Sequence, residues 1–194
     1  DQEKIDFKDL LKDSKVKIAK IWNNLCPSLR VIDVNDKFCV EHLNFFRGSS
    51  YTFRNEVDSY SYTNIYLVNG EFHAQESPLL QIIVDLGEIK LTTVGKDTKE
   101  FNTLIKFPMK DYYQQEKKEF ISKGLDFQGI KLNDKLPAQI NHTYLIRSLF
   151  PKNLLREEIN EFTWFMDSVI AFQIVQQKDN VITIVWKKIH SKWQ

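Results

Sequence analysis

The chain has 194 residues, 42% of them hydrophobic and 27% charged, with a formal net charge of +1. Such values suit a single globular domain with a real hydrophobic core and exclude a largely disordered chain. They also exclude a strongly basic protein built to coat nucleic acid. Only five of the 27 basic residues are arginine, namely Arg30, Arg47, Arg54, Arg147 and Arg156. Arginine is the side chain that forks onto phosphates and base edges, so its scarcity further weakens a nucleic-acid partner.

The first predicted element is a helix. Phe7, Leu10, Leu11, Ile18, Ile21, Trp22 and Leu25 fall on one helical face. Asp6 supplies an N-cap, and Cys26-Pro27 a stop. The lysines opposite that face would suit a membrane-surface helix, but Asp9 and Asp13 interleave with them and favour packing on a sheet.

From there the period changes to two. Residues 29–34 and 37–40 read as a hairpin around Asn35-Asp36, and 51–54 and 60–68 as the next strands. Asn69-Gly70 is the strongest turn signal, with a strand expected over 71–74. Residues 79–86 are rich in branched side chains, and Gly87 allows a bend. Ile89, Leu91 and Thr93 alternate like a half-exposed strand, as do Thr103, Ile105 and Phe107.

A surface helix is expected over 111–123. Around Gly129 the inward parity changes, which predicts a β-bulge. Residues 139–150 read as a strand. Leu155, Ile159, Phe162 and Met166 predict a further helix starting at Pro151. Residues 169–188 form a predicted hairpin around Lys178-Asp179-Asn180, followed by a basic tail. Both faces of that hairpin are apolar, as in strands covered on two sides by the fold or by a partner.

The expected fold class is therefore α+β: a predominantly antiparallel β barrel or sandwich with an N-terminal amphipathic helix and two inserted helices. Residues 1–194 form one domain, with helix 6–25 packed on a β-rich body, 29–190. The C-terminal strand segments NHTYLIRS, VIAFQIV and VITIVWKK have the look of a bacterial β-domain, with no named family attached.

Motifs for established chemistries are missing. The sequence holds no GxGxxG, no GxxxxGK[ST], no GxSxG and no CxxC. No cofactor is therefore expected. Glu71 and His73 share one strand face, a weak metal pattern that Glu76 or Asp85 would have to complete. A triad assembled from Ser148, His142 and Asp85 has no motif behind it. The pairs Glu56 with Asp58 and Glu157 with Glu158 read as solvated charge. Asn141-His142-Thr143 matches the N-glycosylation pattern inside an expected strand, where a chance match is the default.

Cys26 and Cys39 are the two cysteines; a disulfide between them would contribute about 3 kcal/mol in the chain-entropy model. The alternative is two buried free thiols in a reducing compartment; the Asp1 start slightly favours the disulfide, and with it an exported protein, periplasmic or extracellular, over a cytoplasmic one. No run of some 18 apolar residues exists, so no transmembrane segment is expected.

Four of the seven tyrosines lie between positions 51 and 66. Tyr60, Tyr62 and Tyr66 share one strand parity, and tyrosine combines an apolar ring with a polar tip, as wet binding surfaces require. With Arg54, Glu56 and His73 they form the predicted ligand-binding set. The leading functional expectation is a non-enzymatic binding or protein-interaction module taking a small molecule, glycan or protein on a tyrosine-bearing sheet face or in a barrel interior. The alternatives are an enzyme with an acid–base site around His73 or His142, and a structural subunit of a larger assembly.

Overall fold

The computed structural model describes residues 12–13, 15–22, 50–51, 53, 65–74, 80–109, 123–151 and 165–193. Among them the protein is strand-rich, with antiparallel sheets, a single α-helix and no closed barrel. The expected hairpin at 29–40, residues 111–122 and 152–164 of the two later expected helices, and both cysteines fall outside these residues.

The strands in chain order are β1 (Lys17–Trp22), β2 (Ser50–Tyr51), β3 (Ile65–Val68), β4 (Glu71–Ala74), β5 (Leu80–Asp85), β6 (Leu125–Phe127), β7 (Ile130–Leu132), β8 (Lys135–Pro137), β9 (Thr143–Pro151), β10 (Phe165–Lys178) and β11 (Val181–Trp193). The helix α1 spans Lys99–Lys106. A five-stranded sheet runs β1-β11-β10-β9-β5, a four-stranded sheet runs β2-β3-β4-β8, and β6 and β7 form a separate pair.

Period-two patterning sends alternate side chains of the large sheet into two cores. Ile83, Tyr144, Ile146, Ile170, Phe172, Ile174, Ile182 and Ile184 face the small sheet, where they meet Ile65, Leu67 and Phe72. Phe172 lies at the centre of this core, its ring 5.1 Å from those of both Phe72 and Tyr144. On the opposite side Ile82, Val84, Leu145, Leu149, Val169, Ala171 and Val185 pack against Leu91, Phe101, Leu104 and Phe107 around α1, and against Ile130 and Leu132 of β7. The C-terminal hairpin is apolar on both faces because the chain's own layers cover each one.

The strongest local turn signals of the sequence correspond to turns in the structure. Asn69 (φ 51°) and Gly70 (φ 76°) make the two-residue turn between β3 and β4, both left-handed as such a turn requires. The β10–β11 hairpin turns at Asp179-Asn180, with Asp179 at φ 53°.

Several expectations need correction. Residues 17–22, assigned to helix 6–25, are strand β1, which pairs antiparallel with β11. Here Ile21 faces one core and Ile18 the other, so the β-branched residues are used as a strand uses them. The alternating stretch around Leu91 is a 3-10 turn, and that around Thr103 is α1. Phe101, Leu104 and Phe107 supply a spacing of three that also fits a helix, and burial of all three decides it.

The Gly129 bulge is instead a tight hairpin turn, Gln128 (φ 51°) and Gly129 (φ 81°), with Phe127 opposite Ile130. Pro151, the expected helix start, is the last residue of β9, Met166 lies in β10 rather than in a helix, and the basic tail continues β11 as far as Trp193. Strand β9 begins at Thr143; residues 139–142 form the turn before it.

Candidate functional sites

The tyrosine face is described at one position. Tyr60, Tyr62, Arg54 and Glu56 lie outside the described residues, whereas Tyr66 and His73 are brought together. Ile65 and Leu67 of β3 point inward, leaving Tyr66 on the outward side of the small sheet. Across the strand pair Tyr66 is in register with His73, and His73 with Lys135 of β8. Residues paired in this way share a face. The Tyr66 and His73 rings stack with centroids 5.0 Å apart and planes at 22°, so each covers one face of the other.

Glu71, two residues before His73 on the same face, brings Oε2 to 3.7 Å from His73 Nε2. The arrangement is amphipathic: two stacked rings, a half-exposed imidazole, a carboxylate and an ammonium. Among the described residues no group of three histidine, cysteine, aspartate or glutamate side chains is placed to hold an ion. Asp85 does not join Glu71 and His73; it belongs to a second constellation.

That second constellation lies where β5 ends and β9 begins. The Asp85 carboxylate accepts from His142 Nδ1 at 2.9 and 3.0 Å, and from the Gly87 backbone N–H at 2.7 Å. Backbone bonds from Leu86 N to Thr143 O and from Thr143 N to Gly87 O lock the two segments together. Gly87 sits at φ +73°, a conformation glycine adopts without strain.

Beside the pair, the buried Tyr144 hydroxyl donates to Pro137 O at 2.7 Å and accepts from Gln139 N at 2.9 Å, fixing the segment that leads into the 139–142 turn. Burial pushes the Tyr144 hydroxyl up to about 12, against the lowering effect of the Gln139 bond and with help from the Asp85 charge. Ser148 does not complete a triad. It lies six positions along β9 from His142, roughly 20 Å at strand rise, and its hydroxyl accepts from Gln81 Nε2 at 3.1 Å.

A third constellation went unread in the sequence. Arg147 and Asp167 form a bidentate pair inside the α1-side core, Nη2 to Oδ2 at 2.6 Å and Nε to Oδ1 at 2.9 Å. Arg147 Nη1 also donates to the carbonyls of Leu104 and Phe107, at 2.7 and 2.8 Å, at the C-terminal end of α1. A cation is favourable there because the last carbonyls of a helix are otherwise unmatched. His190 stands near this pair, its ring 6.3 Å from that of Phe101. Burial above all lowers its pKa; Lys96, Arg147 and Lys192 add to the lowering and Asp167 opposes it.

The remaining sequence motifs bring nothing together. Asn141 is exposed in a left-handed turn position, and the Thr143 hydroxyl of its glycosylation pattern is buried and donates to Ile89 O. The carboxylate pairs at 56 and 58 and at 157 and 158 are outside the described residues. No helix of the described residues is long and apolar enough to cross a membrane. Comparison with protein-family models, curated proteins and solved structures found no match to this chain.

Proposed function

We propose that the chain carries a binding module whose contact surface includes the outward face of the small sheet. The observation that carries this reading is the Tyr66–His73 stack, flanked by Glu71 and in register with Lys135. Rings held against each other lose little further freedom when a partner arrives, and that preorganisation lowers the cost of binding. One face of each ring is already covered, so the contact rests on the imidazole edge and the flanking charges. This favours a hydrogen-bonding partner, a glycan or a protein surface, over a flat apolar ligand.

Native mass spectrometry of freshly purified protein, followed by glycan and peptide panels, tests the reading. A co-purified mass or a panel hit should weaken by about tenfold or more in Tyr66→Ala and His73→Ala, as expected when an interface hot spot is truncated. Thermal melting should stay close to that of the native chain. A hit whose affinity is unchanged in both variants removes this face from the contact surface.

A further inference from the structure

We propose a second, independent site: the Asp85–His142 pair is an acid–base centre in which His142 Nε2 is the reacting atom, set up to activate water against an acyl group such as a carboxylic ester. An ionised carboxylate only accepts hydrogen bonds, and both Asp85 oxygens lie within 3.0 Å of His142 Nδ1. Nδ1 therefore carries the hydrogen, and in the neutral ring the lone pair is on Nε2.

Among the described residues Nε2 has no hydrogen-bond partner. The imidazole is 19% exposed and the carboxylate 25%, so solvent reaches the ring. One nitrogen is thus fully engaged and the other is open. A carboxylate behind the first nitrogen orients the ring and stabilises the imidazolium that forms when the second takes a proton.

The scaffold holds this geometry closely. Asp85 is pinned by the Gly87 N–H, and β5 is in register with β9, Asp85 opposite Tyr144. The turn that carries His142 is fastened by Ile174 N to His142 O at 3.1 Å and by Gln173 Nε2 to Asn141 O at 3.1 Å. Tyr144 fixes the approach from Pro137. A pair serving only as a clamp would work equally well with Nε2 satisfied.

The nearest serine on β9, Ser148, is engaged elsewhere, so the attacking oxygen comes from water. In the step, Nε2 takes a proton from water as its oxygen bonds to the acyl carbon. The ester C–O bond breaks with its electron pair leaving on the alcohol oxygen, and the imidazolium returns its proton to that oxygen or to solvent. Ester and water become acid and alcohol, with no further reactant.

The test uses the full chain with p-nitrophenyl acetate as the probe, and long-range proton–nitrogen spectra of the histidine rings. Wild-type protein should release p-nitrophenolate faster than buffer. His142→Gln should lose at least about tenfold of that rate, and Asp85→Asn about tenfold through kcat with KM unchanged. Asparagine keeps an acceptor for Nδ1–H but removes the charge, so a purely structural role would leave the rate intact. His190→Gln should retain the rate. The spectra should place the neutral-ring proton on Nδ1 of His142. Release no faster than buffer, a full rate in His142→Gln, or a proton on Nε2 would each overturn the proposal. None of these outcomes touches the Tyr66–His73 face, whose partner binding is read separately.

Discussion

Breaking the Arg147–Asp167 pair is the most severe single perturbation the structure offers. Arg147 is 5% and Asp167 0% exposed, so removing either partner strands a charge in the core. Losing one member of a buried pair costs about 3–5 kcal/mol. Against a typical total of about 5–15 kcal/mol, that is a large share of the folding free energy. Asp167→Asn leaves the guanidinium on the Leu104 and Phe107 carbonyls and removes only the charge. Arg147→Met removes the carboxylate's bidentate guanidinium and also uncaps both carbonyls, so it is the worse of the two.

In urea titrations, with a slope of about 2 kcal/mol per molar, Asp167→Asn should move the midpoint down by about 2 M. Its Tm should fall by roughly 6–20 °C. The double variant Arg147→Met with Asp167→Leu should recover much of the loss, because neither charge is then stranded. It should remain about 1–3 kcal/mol below the native chain because α1 stays uncapped. Single variants within about 1 kcal/mol of native, or a double variant as unstable as the sum of the singles, would refute the reasoning.

Further predictions follow from single groups. Gly70→Ala should cost about 1 kcal/mol in chemical denaturation, purely from φ +76°, because an added Cβ meets nothing within 4 Å. Gly95→Ala, with equal space and no positive φ, should be neutral or slightly stabilising; equal losses at both glycines would remove the conformational explanation. Tyr144→Phe deletes two part-buried hydrogen bonds and should cost about 1–3 kcal/mol.

Because the folded Tyr144 pKa of about 12 exceeds the unfolded value of about 10, its contribution is complete below pH 10 and is lost as pH rises towards 12. Absorbance titration at alkaline pH should find one tyrosine ionising last, and that step should vanish in Tyr144→Phe. For His190 the folded pKa is the lower one, so its contribution is complete above about pH 6.5 and is lost as pH falls. His190→Gln should flatten the stability slope between about pH 7 and 5; an unchanged slope assigns that dependence to another group.

What the sequence disclosed and what it hid follow from the range of the forces involved. Asn69-Gly70 and Asp179-Asn180 are legible because a two-residue turn between alternating strands is a local decision. Strand β1 was not, because its partner β11 lies some 160 residues along the chain and the pairing overrides a helical spacing. The Asp85–His142 contact depends on the β5–β9 register across 57 residues, which no local pattern carries. A usable signal for Arg147 and Asp167 did exist. Arg147 shares its parity with Leu145 and Leu149, and Asp167 shares its parity with Val169 and Ala171. One cation and one anion on the core-facing parity of neighbouring strands are either an error of assignment or a buried pair.

The two charged constellations differ in a way that separates structure from chemistry. Arg147 and Asp167 are buried with their charges matched, and the cation's remaining donors end on the carbonyls of α1. A network in that state has nothing left to offer a ligand, and its role is to fasten the helix layer to the sheet. Asp85 and His142 sit at the margin of the opposite core, with Nδ1 committed and Nε2 without a hydrogen-bond partner among the described residues. The second nitrogen is the one polar atom of that pair whose partner has to come from outside the described protein. If water or substrate supplies it, replacing Asp85 by asparagine changes a rate; if nothing does, the same replacement changes only stability. Measuring both quantities on one variant therefore decides whether this corner of the sheet is a site or a clasp.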